Sequence, residues 1–88
     1  MPAYSISFKP SVAKDLQSLP RTVVSRVMQR IESLASSPFA PGAIKLVSAE
    51  RLYRVRVGDY RIIYEVDSEA SLIQVHYIRY RREVYRGI

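Results

Sequence analysis

The chain has 88 residues, with 14 Lys and Arg against 8 Asp and Glu, a single His and no Cys. A chain this short buries only about 60% of its unfolded surface, so we predict one domain over residues 1–88 and exclude multidomain enzymes. Without Cys there are no disulfides or thiolate zinc sites, and one His cannot build a histidine-rich site; we expect no metal and no cofactor. Residues 1–10 lack the apolar core of a signal peptide and no run approaches the roughly 18 apolar residues of a membrane span, so we expect a cytoplasmic protein.

The charge balance points to an anionic partner. The net charge is +6, and nucleic acid is favoured over membrane because no strongly cationic amphipathic helix stands out. Eleven of the fourteen cations are Arg, whose planar guanidinium matches phosphate geometry. Four of them fall within residues 51–61 and four within residues 79–86. A solvated basic surface is the alternative interpretation of composition alone.

The first half of the chain predicts one strand and two helices. Side chains alternate over residues 1–8 with the period of a half-buried strand. Apolar residues then recur at helical spacing over 10–19 until Pro20 interrupts, and again over 21–35. The two helices are predicted to form a hairpin, followed by a connecting loop over 36–44 that contains two Pro and one Gly.

The second half predicts strands. Segments 52–57 and 60–66 are rich in Tyr, Val and Ile and flank Gly58-Asp59, a two-residue hairpin signal. A turn over 67–71 leads to a further strand over 72–78. The order β-α-α-β-β-β predicts an α+β fold, with the N-terminal helical hairpin packed on one face of a mainly antiparallel four-stranded sheet. The opposite face stays open for function.

The hairpin signal also fixes where the arginines lie. With Gly58 and Asp59 as the loop, Arg56 pairs with Arg61, and alternation separates the two faces. One face takes Val55, Val57, Tyr60 and Ile62, and the other takes Arg54, Arg56, Arg61, Ile63 and Glu65. Like charges across a ladder are destabilising by a few tenths of a kcal/mol, so a bound polyanion explains this pairing better than stability does. The alternative is that these arginines reach into water or meet Glu65.

The end of the chain interleaves cations with aromatic residues. Residues 79–86 contain Arg79, Tyr80, Arg81, Arg82 and Tyr85. Guanidinium groups can take the phosphates of a nucleic-acid strand while bases stack on Tyr. In the alternative interpretation, both Tyr residues pack at a strand end and the arginines face solvent.

Three sequence blocks resemble the RelE/ParE toxin superfamily. They are FKP, AKDL and LP within residues 8–20, LYRVRVGDYRIIY at 52–64, and RREVY at 81–85. The middle block is similar in both the nuclease and the gyrase-poison branches. The ending, with Arg79, Arg81 and Tyr85, resembles the RelE branch.

The resemblance to the RelE branch implies the toxin of a type II toxin-antitoxin system. Members of that branch cleave mRNA in the ribosomal A site, which inhibits translation, and are neutralised by a cognate antitoxin, so the implied partners are the ribosome, mRNA and an acidic antitoxin. It implies catalytic residues at Arg54, Arg56, Arg61, Arg79 and Tyr85, and we assign RNA binding to Tyr80, Arg81 and Arg82. The chain departs from the pattern in carrying Arg where the best-studied members have Lys, at 54 and 56, and Tyr80 where many have His.

Cleavage by the RNA's own 2′-hydroxyl needs proton removal, charge stabilisation and protonation of the leaving oxygen. Arg56 and Arg61 are suited to hold the developing charge, but Arg stays protonated and is a poor general base. Tyr85 is the first candidate base, because nearby cations lower a phenol pKa, and Glu65 is the second. Arg79 would serve the leaving oxygen. For His76, a structural or surface role is expected.

Two other functions fit the same sequence. One is a gyrase poison like the ParE branch, which binds an enzyme and performs no chemistry. The other is a catalytically inactive nucleic-acid-binding module of the same fold.

Overall fold

The computed structural model describes residues 4–39, 42–46 and 51–80. Within these ranges the elements are β1 (Ser5–Phe8), α1 (Pro10–Gln17), α2 (Arg21–Leu34), β2 (Ile44–Lys45), β3 (Leu52–Val57), β4 (Tyr60–Asp67) and β5 (Leu72–Tyr80). The predicted α+β class is confirmed, as is the placement of two helices between the first strand and the rest. Residues 1–3 of the predicted first strand lie outside the described residues. No helix in the described ranges has the length and apolar character needed to cross a membrane.

The strands form one mixed sheet in the order β1-β5-β4-β3-β2. Strand β1 is parallel to β5, whereas the other neighbouring pairs are antiparallel, so the sheet is mainly antiparallel as predicted. Five strands are described, where the sequence predicted four. The additional one is β2, which pairs with β3 through Ile44 opposite Arg54. It was missed because two residues are too short for an alternating pattern, and it falls at the end of the predicted loop 36–44 and just beyond it.

The two helices cover one face of this sheet. Pro10 occupies the first turn of α1, where a missing N–H costs nothing, and Pro20 precedes α2. Val27, Ile31 and Leu34 recur at helical spacing and are fully buried in the core. They pack in one cluster with inward residues of the central strands, among them Val55 and Ile62. The hydrophobic effect therefore assigns the helices to one sheet face and leaves the other to the arginines.

Tyr64 is the largest side chain that is fully buried. Its hydroxyl donates a hydrogen bond of 2.7 Å to the carbonyl oxygen of Pro38, which ties the segment after α2 to the sheet. Burial raises the pKa of Tyr64 to about 12, because the phenolate would be poorly solvated, although the positive charge of Arg30 opposes this shift.

Candidate nucleic-acid interface

The β3–β4 hairpin has the predicted register. Its two-residue loop begins at Gly58, whose φ of +58° suits the first loop position of a type II′ turn. Arg56 lies opposite Arg61, and Arg54 lies opposite Ile63. The predicted division of the faces is confirmed for the apolar side, since Val55, Val57 and Ile62 belong to the core cluster. Alternation therefore directs Arg54, Arg56 and Arg61 to the opposite face.

These three arginines line one depression, which we call the arginine depression. It has a volume of about 260 Å³, and its other described lining residues are Gly42 and Ile44. Strand β2 positions that wall, because Ile44 pairs with Arg54. No carboxylate is among the described residues that line the depression. Three cations without an acid in the wall create a positive potential that attracts phosphate.

The arginines of this depression differ in exposure. Arg61 is only 7% exposed, which is unusual for a charged residue. Arg56 is exposed, and its Nε donates a hydrogen bond of 2.8 Å to the carbonyl oxygen of Gly58. Arg61 therefore has a fixed position at the floor of the site, while Arg56 is tethered to the hairpin loop at its rim.

Arg79 continues the same row across the sheet. Its Cα is opposite that of Arg61, so Arg56, Arg61 and Arg79 follow one another over β3, β4 and β5. Its guanidinium nevertheless points to the α1 side, where Nη1 lies 2.7 Å from Oδ2 of Asp15. The same Nη1 donates to the Ile78 carbonyl at 3.0 Å, and the guanidinium carbon lies 4.8 Å from the centroid of the Tyr77 ring.

Arg79 and the arginine depression are therefore separate in the structure. Arg79 lines a different cavity with Asp15 and Tyr80, and it is not among the described residues lining the arginine depression. The structure brings Arg54, Arg56 and Arg61 together, and it holds the fourth predicted arginine by an ion pair beside them.

The predicted RNA-binding residues lie at the end of the described chain. Tyr80 is 39% exposed, and its ring is in edge contact with Tyr60 at a centroid distance of 5.5 Å. Arg81, Arg82 and Tyr85 lie outside the described residues.

Glu65, the second candidate base, contacts His76 rather than an arginine. Its Oε1 lies 3.0 Å from His76 Nε2, at the point where the β4–β5 register shifts. Glu65 is four positions from Arg61 along β4, about 13 Å at the usual rise per residue. Among the described residues, no three His, Cys, Asp or Glu side chains are grouped so as to hold a metal ion.

The sequence analysis missed Asp15, Gly42 and Ile44 as residues of these cavities. Asp15 is one polar position on an amphipathic helix, and no local pattern links it to a strand at the far end of the chain. Gly42 and Ile44 were assigned to a loop, and their role depends on the short strand β2.

Comparison with known proteins agrees with this architecture. A family model for the ParE toxin of type II toxin-antitoxin system, parDE, matches residues 6–85. The crystal structure of the archaeal RelE-RelB complex from Pyrococcus horikoshii contains a chain 32% identical to this one, with a TM-score of 0.80 over 90% of this chain and 96% of that one. The isolated E. coli RelE toxin is 25% identical, with a TM-score of 0.78 over 97% of this chain and 94% of that one.

The similarity extends to curated relatives. The toxin RelE of Mycobacterium tuberculosis is 27% identical over 84 residues, which cover 94% of this chain and 87% of that protein. The chain therefore belongs to the RelE/ParE superfamily of toxins from type II toxin-antitoxin systems.

Proposed function

We propose that this toxin is a ribosome-dependent endoribonuclease that cleaves mRNA in the ribosomal A site and so inhibits translation in the cytoplasm. The observation that carries the proposal is the arginine depression, where Arg54, Arg56 and Arg61 meet without an acid among the described lining residues. Three guanidinium groups in one wall match a phosphodiester better than they match a protein surface.

The proposed chemistry is attack of the 2′-oxygen on the adjacent phosphorus. The 2′-O–P bond forms, the P–O5′ bond breaks, and the products are a 2′,3′-cyclic phosphate and a free 5′-hydroxyl. Negative charge develops on the phosphoryl oxygens, and Arg56 and Arg61 are assigned to stabilise it. Removing one such donor from an active site typically costs about 10²- to 10³-fold in rate.

The proton transfers are assigned to other groups. Tyr85 is our first candidate for removing the 2′-hydroxyl proton, since Arg remains protonated. Glu65 is less suited, because of its contact with His76 and its distance of about 13 Å along β4 from Arg61. Arg79 is assigned to the leaving 5′-oxygen, which requires its ion pair with Asp15 to open or to be bridged by the RNA. In-line geometry imposed by the ribosome would supply further acceleration.

We propose Tyr80, Arg81 and Arg82 as contacts for the flanking RNA. The exposed part of the Tyr80 ring offers a stacking surface, and base stacking on an aromatic side chain is worth about 1–3 kcal/mol.

We infer a cognate antitoxin as the regulatory partner. The related archaeal RelE occurs in a complex with RelB. For the present chain, an antitoxin encoded alongside should bring an apolar helix or strand together with acidic residues, because the surface it must cover is cationic. A basic antitoxin segment at the arginine depression would contradict this inference.

A gyrase poison is the second candidate, and the matching ParE family model is the observation that favours it. In that case the arginines would contact a protein and perform no chemistry.

The deciding experiment incubates the purified toxin with mRNA-programmed ribosomes and maps new 3′ ends. We expect a cut within the A-site codon, a 2′,3′-cyclic phosphate at the new end, and no cut in the same mRNA without ribosomes. A parallel assay measures gyrase-dependent DNA breaks. Intact mRNA together with trapped gyrase would overturn the proposal in favour of the second candidate.

A further inference from the structure

A second cationic groove lies between helix α2 and the loop of the β3–β4 hairpin. One wall is a single face of α2, formed at helical spacing by Arg26, Gln29, Arg30 and Ser33. The other wall is residues 56–58 at the end of β3 and the start of the loop. The groove has a volume of about 400 Å³.

Three guanidinium groups converge on this groove. Both Nη atoms of Arg26 lie 3.9 Å from the position that a Cβ on Gly58 would occupy, so the guanidinium stands directly over the hairpin loop. Arg56 donates its Nε hydrogen to the carbonyl of the same Gly58. Arg30 lines the same wall of α2 and contacts Ser33 Oγ through Nη1 at 3.4 Å.

The charge of the groove calls for an anion. No carboxylate is among its described lining residues, and Gln29 and Ser33 add neutral hydrogen-bond donors to the three guanidinium groups. Cations this close repel one another, so fold stability alone does not favour the arrangement. A bound phosphate group would remove the repulsion and accept hydrogen bonds from the guanidinium groups.

The groove is continuous with the arginine depression. Arg56 lines both of them. Gly42 lines the arginine depression, and a Cβ at that position would lie 3.7 Å from Nη2 of Arg30. The two cavities therefore share a rim on the β3 side of the sheet. A single extended polyanion fits a continuous cationic path of this kind better than two separate ligands do.

We propose that the groove of Arg26, Arg30 and Arg56 binds a backbone phosphate of the same single-stranded RNA whose scissile phosphate lies in the arginine depression. This deepens the proposed function and rests on it for the identity of the ligand as RNA. The groove extends the RNA path from the open sheet face, around the hairpin loop, to helix α2.

The test measures binding of a 12-nucleotide RNA with 2′-O-methyl groups, which cannot be cleaved by its own 2′-oxygen, over a series of salt concentrations. The groove variant is Arg26→Gln with Arg30→Gln. The matched control is Lys14→Gln with Arg21→Gln, which removes the same charge from exposed positions of α1 and α2 that do not line the groove.

Each phosphate contact in a single strand contributes about 0.7 to the slope of log K against log salt. The groove variant is therefore expected to lose about 1.4 from the slope and to bind about tenfold more weakly at physiological salt. The control variant should retain the slope of the original protein. Equal slopes for the two variants, or no RNA binding by the original protein, would overturn the inference.

Three further measurements distinguish loss of an RNA contact from unfolding, from binding of an acidic protein and from failure of the cleavage activity. Thermal unfolding checks the fold; if the double variant unfolds, Arg26→Gln alone should lose about 0.7 from the slope. Preferential binding of a polyglutamate peptide over the RNA, lost in the groove variant, would assign the groove to an acidic protein and overturn the inference. Intact mRNA on ribosomes together with the expected slope difference would reject the cleavage activity and leave the groove as an RNA site.

Discussion

At the scale of single residues, Arg61 is the centre of the candidate site. Its Cα lies between those of Arg56 and Arg79, and only 7% of the residue is exposed. Burying a charge is costly, and the neighbouring arginines add repulsion, so stability alone does not favour a guanidinium at this position. An anionic ligand at the arginine depression accounts for this arrangement.

Arg61→Ala should slow mRNA cleavage on programmed ribosomes by at least about 10²-fold, since it removes a donor to the developing charge. Arg61→Lys should give an intermediate rate, because it keeps the charge and loses the planar fork. The control is Arg51→Ala, whose side chain pairs with Asp67 at 3.4 Å and does not line the depression. Equal rates for Arg61→Ala and Arg51→Ala would contradict the assignment of Arg61.

At the scale of elements, Asp15 joins α1 to the end of β5. Pairing between β1 and β5 ends at Phe8 opposite Val75, which leaves later N–H groups of β5 without that neighbour. Asp15 Oδ2 accepts the hydrogen bond of the Ile78 N–H at 3.0 Å and also receives the Arg79 guanidinium. One carboxylate thus replaces the missing strand and holds a candidate catalytic residue.

Asp15→Ala should lower the free energy of unfolding by about 1–3 kcal/mol, because the partly buried Ile78 N–H loses its acceptor. Asp15→Asn should cost less, since the amide oxygen can still accept that hydrogen bond. Urea unfolding of the three proteins measures the difference. If Asn is as destabilising as Ala, the stability comes from the ion pair and the hydrogen bond to Ile78 contributes little.

Tyr64 provides an element-scale prediction for pH. Its pKa is raised to about 12 in the folded protein, against 10.0 for the ordinary group. The unfolded chain therefore loses this proton first, so the contribution of Tyr64 to stability is complete below pH 10 and is lost as pH rises from 10 to about 12.

The check compares urea unfolding of the original protein and Tyr64→Phe between pH 8 and pH 12. The Phe variant should be less stable at pH 8 by about 1 kcal/mol, because it lacks the hydrogen bond to Pro38, and the gap should close as the pH rises. A gap that is constant over this range would contradict the raised pKa.

At the scale of the whole molecule, local signals predicted the elements that local sequence controls. The Gly58-Asp59 loop fixed the hairpin register, and with it the meeting of Arg56 and Arg61. Helical spacing of apolar residues predicted both helices and the face they bury. The overall α+β arrangement followed because two amphipathic helices must cover a sheet.

Features that depend on contacts between distant segments could not be predicted. Strand β2 has too few residues for a pattern, and it exists because β3 offers it an edge. The contact of Asp15 with Arg79 joins the first helix to the last strand, so no local spacing signals it. For the same reason, Arg26 and Arg30 resemble a solvated helix face until the hairpin loop is placed beside them.

The central claim is that guanidinium groups from neighbouring strands act on one phosphodiester, and a double-mutant cycle tests it most directly. The measurement is the single-turnover rate of mRNA cleavage on programmed ribosomes for Arg56→Gln, Arg61→Gln and the protein carrying both, with thermal unfolding to confirm the fold. If both groups hold the same phosphate, each single change slows cleavage by about 10²- to 10³-fold, and the double change slows it far less than the product of the two. Losses that multiply, or rates that do not fall, would contradict the claim.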